Sequence, residues 1–125
     1  MKYNIQQSFA FLNGIAADVL DKRLNKNLRT ANMPMTTEQF RALVWLWEQD
    51  GRSQQSLACL SQRDKGAIAR ILSILERKDL IIRKEDIKDR RVKLVFLTDF
   101  GNSLKEESYQ VILDTIDEAL VGVRP

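Results

Sequence analysis

The side chains best placed to do chemistry fall in two short clusters. The first is Lys65, Gly66, Ala67, Ala69, Arg70 and Ser73, two cations set among residues too small to obstruct approach. The second is Lys88, Asp89, Arg90 and Arg91. Long cationic side chains on a surface of small residues suit the major groove of duplex DNA. There lysine and arginine donate to base edges and phosphate oxygens, and a bulky apolar residue would hold the protein away. Consecutive arginines suit the narrow, strongly negative minor groove. Asp89 has a place beside them as an acceptor for a neighbouring arginine or backbone amide that keeps the segment in shape. Asp64, which would repel phosphate, reads better as a helix cap than as a contact.

Other chemistries lack their parts. The 125 residues contain no histidine, which removes the Ser-His-Asp and Cys-His nucleophile systems and any histidine-based zinc site. Cys59 is the one cysteine, so it has no partner for an internal disulfide or a thiolate cluster. No Asp-x-Asp-x-Asp-Gly loop offers a hard-cation site. No coherent set of acid, base and nucleophile remains, and neither an enzyme nor a cofactor or metal requirement is expected.

The charge distribution agrees. Net charge is only +3, but residues 63–93 hold 11 basic and 6 acidic side chains, whereas residues 94–125 hold 2 and 6. A basic central third is drawn to phosphate, and an acidic end is kept away from it. Hydrophobic content of 44% and charged content of 30% are those of a globular domain. No apolar run reaches the roughly 20 residues of a membrane span, and Met1–Gln7 lacks the apolar stretch of a secretory signal, so a cytoplasmic protein without membrane contact is expected.

The elements that must position these residues follow from periodicity and caps. Ile5, Phe9, Leu12, Ala16, Val19, Leu20, Leu24 and Leu28 recur at spacings of three and four, predicting a long first helix with more apolar length than one small lobe covers. Packing against a second subunit uses that surplus. Pro34 closes the connection. Thr36 and Gln39 fit a capping box for a helix carrying Phe40, Leu43, Val44 and Trp47, ended by Asp50-Gly51. Ser53 caps a short helix to about Leu60, Ser61–Arg63 makes a tight turn, and Asp64 caps a helix whose other face is Ile68, Ile71, Leu72 and Leu75. Leu80–Lys84 and Val92–Leu97 read as strands around a charged hairpin tip, and Thr98 caps a long last helix. The fold class is therefore α+β, mostly α. Residues 35–98 form a winged helix-turn-helix lobe, and residues 1–34 and 99–125 supply long N- and C-terminal dimerisation helices in one domain.

Each feature also has a plainer reading. A basic hairpin is often simply solvated, and helix-turn-helix spacing recurs in folds that bind no DNA, so a winged-helix protein-interaction module with an acidic partner is the alternative. Trp45 and Trp47 lie inside an amphipathic helix and suit core and subunit interface rather than base stacking. Cys59, amid Leu57, Ala58 and Leu60, reads as a small buried residue. The conjunction of short helix, groove-compatible helix and arginine-tipped hairpin favours DNA.

The chain resembles the MarR family of bacterial transcription regulators. The similar stretch runs through Thr37-Glu38-Gln39, Leu57-Ala58, Asp64-Lys65, Ile68-Ala69-Arg70 and Leu75–Arg83. It continues through Asp89-Arg90-Arg91 to Leu97-Thr98-Asp99-Phe100-Gly101. The resemblance implies a homodimer held by the first and last helices, with two winged lobes on successive major grooves of a pseudo-palindromic operator. It matches Arg91 to a wing arginine that enters the minor groove and Asp89 to the acid that positions it. It further implies a repressor tuned by a small phenolic or lipophilic ligand, bound in a cleft to which Phe9, Leu12 and Trp47 could contribute, although core packing suits each of them too. Gly66, Ala67 and Ala69 stand where relatives usually carry serine or threonine. Asp79 stands where they usually have glycine, so it must hold an unusual backbone. The last residues here stand about where relatives begin a further short helix, so either this chain dimerises with less surface or the sequence stops short of the full dimerisation region.

Overall fold

A computed structural model describes residues 19–121. Their order is α1 (19–30), α2 (Thr37–Glu48), α3 (Gln54–Leu60), α4 (Lys65–Arg77), β1 (Ile81–Glu85), β2 (Lys93–Leu97), α5 (Asp99–Ser103) and α6 (Lys105–Val121). The described residues form two compact units, one of residues 19–37 with 106–121 and the other of residues 38–105. The architecture is the mostly helical one expected, with a single two-stranded antiparallel sheet among the described residues.

In the first unit α1 buries Leu24 and Leu28, and α6 buries Ile112 and Ile116. Polar bonds fix the two helices side by side. Asn27 Nδ2 donates to Thr115 Oγ1 at 2.8 Å, and Arg23 pairs with Glu118 at 3.5 Å. Ser108, fully buried, donates to the Met33 sulfur at 3.4 Å. Phe9 and Leu12 lie outside the described residues.

The second unit is built on Phe40, Leu43, Leu46, Leu57, Ile68, Leu72, Leu75, Leu80, Ile81 and Val95, each at most 1% exposed. Its helices begin where short polar side chains cap them. Ser53 Oγ accepts from Ser56 N, Asp64 Oδ1 from Ala67 N at 2.7 Å, and Thr98 Oγ1 from Gly101 N. Two of them end alike. After α4, Asp79 takes the left-handed conformation (φ 61°), its N–H bonding Glu76 O while Leu80 N–H bonds Leu75 O. After α3, Gln62 does the same (φ 54°), with Arg63 N–H on Ala58 O. These are Schellman ends, whose left-handed residue is usually glycine because a Cβ is disfavoured there. Aspartate tolerates that backbone better than most residues.

The sheet pairs Ile81 with Leu97 and Glu85 with Lys93 at its two ends. A third chain segment joins it: Gly51 N donates to Val95 O, Val95 N to Arg52 O, and Ser53 bridges Leu94. Asp50 Oδ1 accepts from Leu97 N at 2.8 Å. The sheet is thereby tied to the α2–α3 connection.

Three expectations change. Cys59 is exposed, not buried, because α3 turns Leu57 and Ala58 to the core and the next residue lies about 100° further round the helix. The last helix is interrupted at Leu104, whose N–H closes back on Gly101 O and Asn102 O, so α5 and α6 are separate elements. The break accompanies the fastening of α5 to α2 and to the end of α4: Trp47 Nε1 donates to Gly101 O at 3.0 Å, and Thr98 N donates to Leu80 O. The strands begin one residue later than periodicity suggested.

Candidate nucleic-acid interface

The sequence Lys-Gly-Ala-Ile-Ala-Arg-Ile-Leu-Ser-Ile-Leu divides α4 into two faces. Ile68, Ile71, Leu72 and Leu75 are buried and hold the helix against the lobe. Lys65, Gly66 and Arg70 are exposed, and Ala67 and Ala69 are half-buried between them. The result is a smooth helical face carrying two mobile cations, as the sequence led us to expect. No bulky apolar side chain stands among these five to limit how closely a duplex backbone approaches.

Ser73 belongs to a different arrangement. Its hydroxyl accepts from Arg83 Nη2 at 3.1 Å, and the same guanidinium pairs with Glu76 Oε1 at 2.9 Å. Glu76 Oε2 in turn accepts from the Arg83 backbone N–H at 3.2 Å. The Arg83 hydrogen bond holds the Glu76 carboxyl below its ordinary range, reinforced by the guanidinium charge and the backbone bond against a smaller cost of burial. Ser73, expected among the base-facing residues, is half-buried and accepts from Arg83, a bond that ties α4 to β1. Sequence reasoning missed this clamp because Glu76 and Arg83 lie on different elements. The spacing of seven across a Schellman turn has no signature of its own.

The wing tip is built as a closed loop. Asp86 N donates to Val92 O and Val92 N to Asp89 O, both at 2.9 Å. Asp89 Oδ1 accepts from Arg91 N and from Arg91 Nε, each at 3.1 Å, and Oδ2 accepts from Nη2 at 3.2 Å. The Arg91 side-chain bond, then its backbone bond, keeps the Asp89 carboxyl below its ordinary range. The Arg91 side chain is 91% exposed, so the aspartate aims it outward without covering it. The pair engages Nε and Nη2 and makes no use of the Nη1 donors. Lys88 and Arg90 are exposed on the same loop.

Between α3, α4 and the wing lies a shallow groove of about 200 Å³ edged by Ser53, Gln54, Lys65, Arg91 and Lys93. The first cluster thus meets the second across a cleft bearing three cations. Other cations are occupied inside the lobe. Arg52 donates to Trp45 O at 3.0 Å and lies 5.9 Å from the Trp45 ring, and burial lowers the Lys78 ammonium's pKa while it donates to Gln39 at 2.8 Å. Trp47, expected at a ligand cleft or in the core, is buried with its ring 5.7 Å edge-on from Phe40.

A short helix, a tight turn, a second helix with a bare cationic face and a two-stranded wing together define a winged helix-turn-helix protein. Residues 35–93 match the model of the MarR family. The chain is 27% identical over 107 residues to the organic hydroperoxide resistance transcriptional regulator of Bacillus subtilis, covering 86% of this chain and 71% of that protein. It is 33% identical over 75 residues to the HTH-type transcriptional regulator TtmR of Methylorubrum extorquens, covering 60% of this chain and 38% of that relative's length. Its fold superposes on that of MepR in the S. aureus MepR–DNA complex with a TM-score of 0.75 at 28% identity, over 99% of this chain and 87% of the other. The chain belongs to the MarR family. Among the described residues no helix is long and apolar enough to cross a membrane.

Proposed function

We propose that this protein is a sequence-specific regulator of transcription that binds double-stranded DNA as a homodimer. The observation that carries the reading is the pairing of the bare cationic face of α4 with a wing whose Arg91 is oriented by Asp89. In this reading α4 enters the major groove with Lys65, Gly66, Ala67, Ala69 and Arg70 toward base edges. Arg90 and Arg91 enter the adjacent minor groove and Lys88 reaches phosphate. Solution of the related MepR on DNA supports the choice of partner. Two lobes related by a twofold axis call for a pseudo-palindromic operator with half-sites about one helical turn apart. Repression, relieved by a small phenolic or lipophilic effector that binds one spacing of the two lobes better than the other, completes the proposal.

The test is fluorescence anisotropy of the protein with its own upstream intergenic duplex and with a scrambled duplex, over a salt series. Preference for the upstream duplex, with affinity falling steeply as salt rises, is the expected result. No binding to either duplex at low salt, by protein shown to be dimeric, would transfer the assignment to a protein-interaction module.

A further inference from the structure

The wing carries one residue that its charges do not explain. Ile87 is 97% exposed, while the other large apolar residues on the lobe's surface, Ile82 and Phe100, are 40% and 48% exposed. An isoleucine so placed adds nothing to the core. The backbone around it is nonetheless fixed. Asp86 Oδ1 accepts from Lys88 N at 3.0 Å, spanning Ile87 in a side-chain turn, and the Asp86–Val92 bond closes the loop behind it. The loop's polar groups are thus turned on one another, and a stiff β-branched side chain is left at the apex beside Lys88, Arg90 and Arg91.

We propose that Ile87 is an apolar contact of the wing with the deoxyribose walls of the minor groove, and so a determinant of which base steps the protein accepts. The assignment rests on the DNA-binding reading above and deepens it. A minor groove has charged rims and an apolar lining of sugars, and proteins that enter it combine cations with inserted aliphatic side chains. The wing tip has that composition: cations for the rims and one aliphatic group for the lining. Isoleucine has restricted χ1 freedom before contact, so little rotamer entropy is lost on insertion. Groove width and step flexibility depend on sequence, so a side chain that must fit between the walls discriminates sequences without a hydrogen bond to any base.

The two kinds of contact separate experimentally. A cation's contribution appears in the slope of log affinity against log salt, whereas an apolar contact shifts affinity by the same factor at every salt concentration. Anisotropy titrations of the parent, Ile87→Ser, Ile87→Leu and Arg91→Ala on the upstream duplex decide it. Ile87→Ser is expected to bind about ten-fold more weakly at all salt concentrations with an unchanged slope, the scale expected for partial burial of one aliphatic side chain. Ile87→Leu is expected to stay close to the parent, and Arg91→Ala to flatten the slope. Hydroxyl-radical cleavage, which reports access to deoxyribose in the minor groove, should show protection at the flanks of the site that Ile87→Ser loses. Thermal unfolding of Ile87→Ser should match the parent, since the side chain is solvated. Parent binding with Ile87→Ser unchanged overturns the assignment alone, as does weaker binding with sugar protection intact. A parent that binds no duplex overturns the DNA-binding reading and this assignment together.

Discussion

Replacing Gly101 by alanine tests the packing that fastens α5 to the lobe. A Cβ at this position would overlap the Leu80 carbonyl oxygen and lie 3.0 Å from the Leu80 carbonyl carbon. The obstacle is backbone, so it has no rotamer to swing away. Leu80 itself is 0% exposed and closes the Schellman end of α4, which leaves it little freedom to yield. The helix must retreat instead, and two bonds stretch with it: Trp47 Nε1 to Gly101 O at 3.0 Å and Thr98 N to Leu80 O at 3.1 Å. A buried donor left without a partner costs about 1–3 kcal/mol, and the displaced packing adds about 1–2 kcal/mol more. The sum, roughly 3 kcal/mol, is a large share of the about 5–15 kcal/mol that holds a typical domain together. At this chain length it corresponds to a fall in Tm of roughly 10–15 °C. Circular dichroism melts would measure it, with tryptophan emission following Trp47. Gly66→Ala is the internal control. Gly66 is exposed on α4 and its added Cβ would have only Asp64 Oδ1 nearby, at 3.5 Å, an ordinary contact. It should therefore gain about 0.5–1 kcal/mol from helix propensity. A Gly101→Ala melt within about 2 °C of the parent would refute the reasoning.

Four further outcomes are expected. Arg91→Ala should lower the salt slope of DNA binding by about 1, and an unchanged slope would remove Arg91 from the interface. Arg70→Ala should cost roughly 1–3 kcal/mol on the specific duplex and much less on a scrambled one if the side chain reads a base; equal losses on both would make it a phosphate contact. Asp79→Gly should raise stability by up to about 1 kcal/mol in urea titrations, because it removes a Cβ from a left-handed residue, and a destabilised variant would show that the aspartate side chain earns its position otherwise. Glu76 and Asp89 both have lowered pKa values in the folded protein, so the bonds they make are complete at neutral pH and are lost only as pH falls through those lowered values, below the usual carboxylate range. Amide NMR spectra of the wing should therefore be constant from about pH 8 to about pH 5, and loss of loop order inside that window would contradict the assignment.

What the sequence made legible was local. Ser53, Asp64 and Thr98 cap their helices through bonds three residues away, and such bonds leave a signature in spacing. The division of α4 into buried and bare faces follows from a period of 3.6 and needs no tertiary information. The Asp89–Arg91 pair is two residues apart and was equally readable. What escaped was set by distant backbone. The link of Asp50–Ser53 to β2 is too short for any alternation to announce it. The bond from Arg83 to Ser73 escaped because the two residues come from different elements. Cys59 sits in an apolar run, but a seven-residue helix has only one side to bury, and position decides over composition. The interruption at Leu104 depends on where Gly101 is anchored, which chain periodicity does not encode.

The Asp89–Arg91 pair has a consequence for the timing of recognition. An arginine held side-on by its own aspartate is electrically near neutral at a distance, since opposite charges only about 3 Å apart leave little net field several times that distance away, and salt screens the remainder. On the proposed function, a duplex still approaching would feel Lys88 and Arg90 of this loop, together with Lys65 and Arg70 on α4, and those free cations would govern the frequency of productive encounters. Arg91 would act only on arrival, when its outer donors meet an acceptor with the side chain already oriented and little entropy left to lose. Its influence therefore falls on how long the protein stays rather than on how often it lands. In that reading the loop would separate capture from residence, and each could be altered without the other.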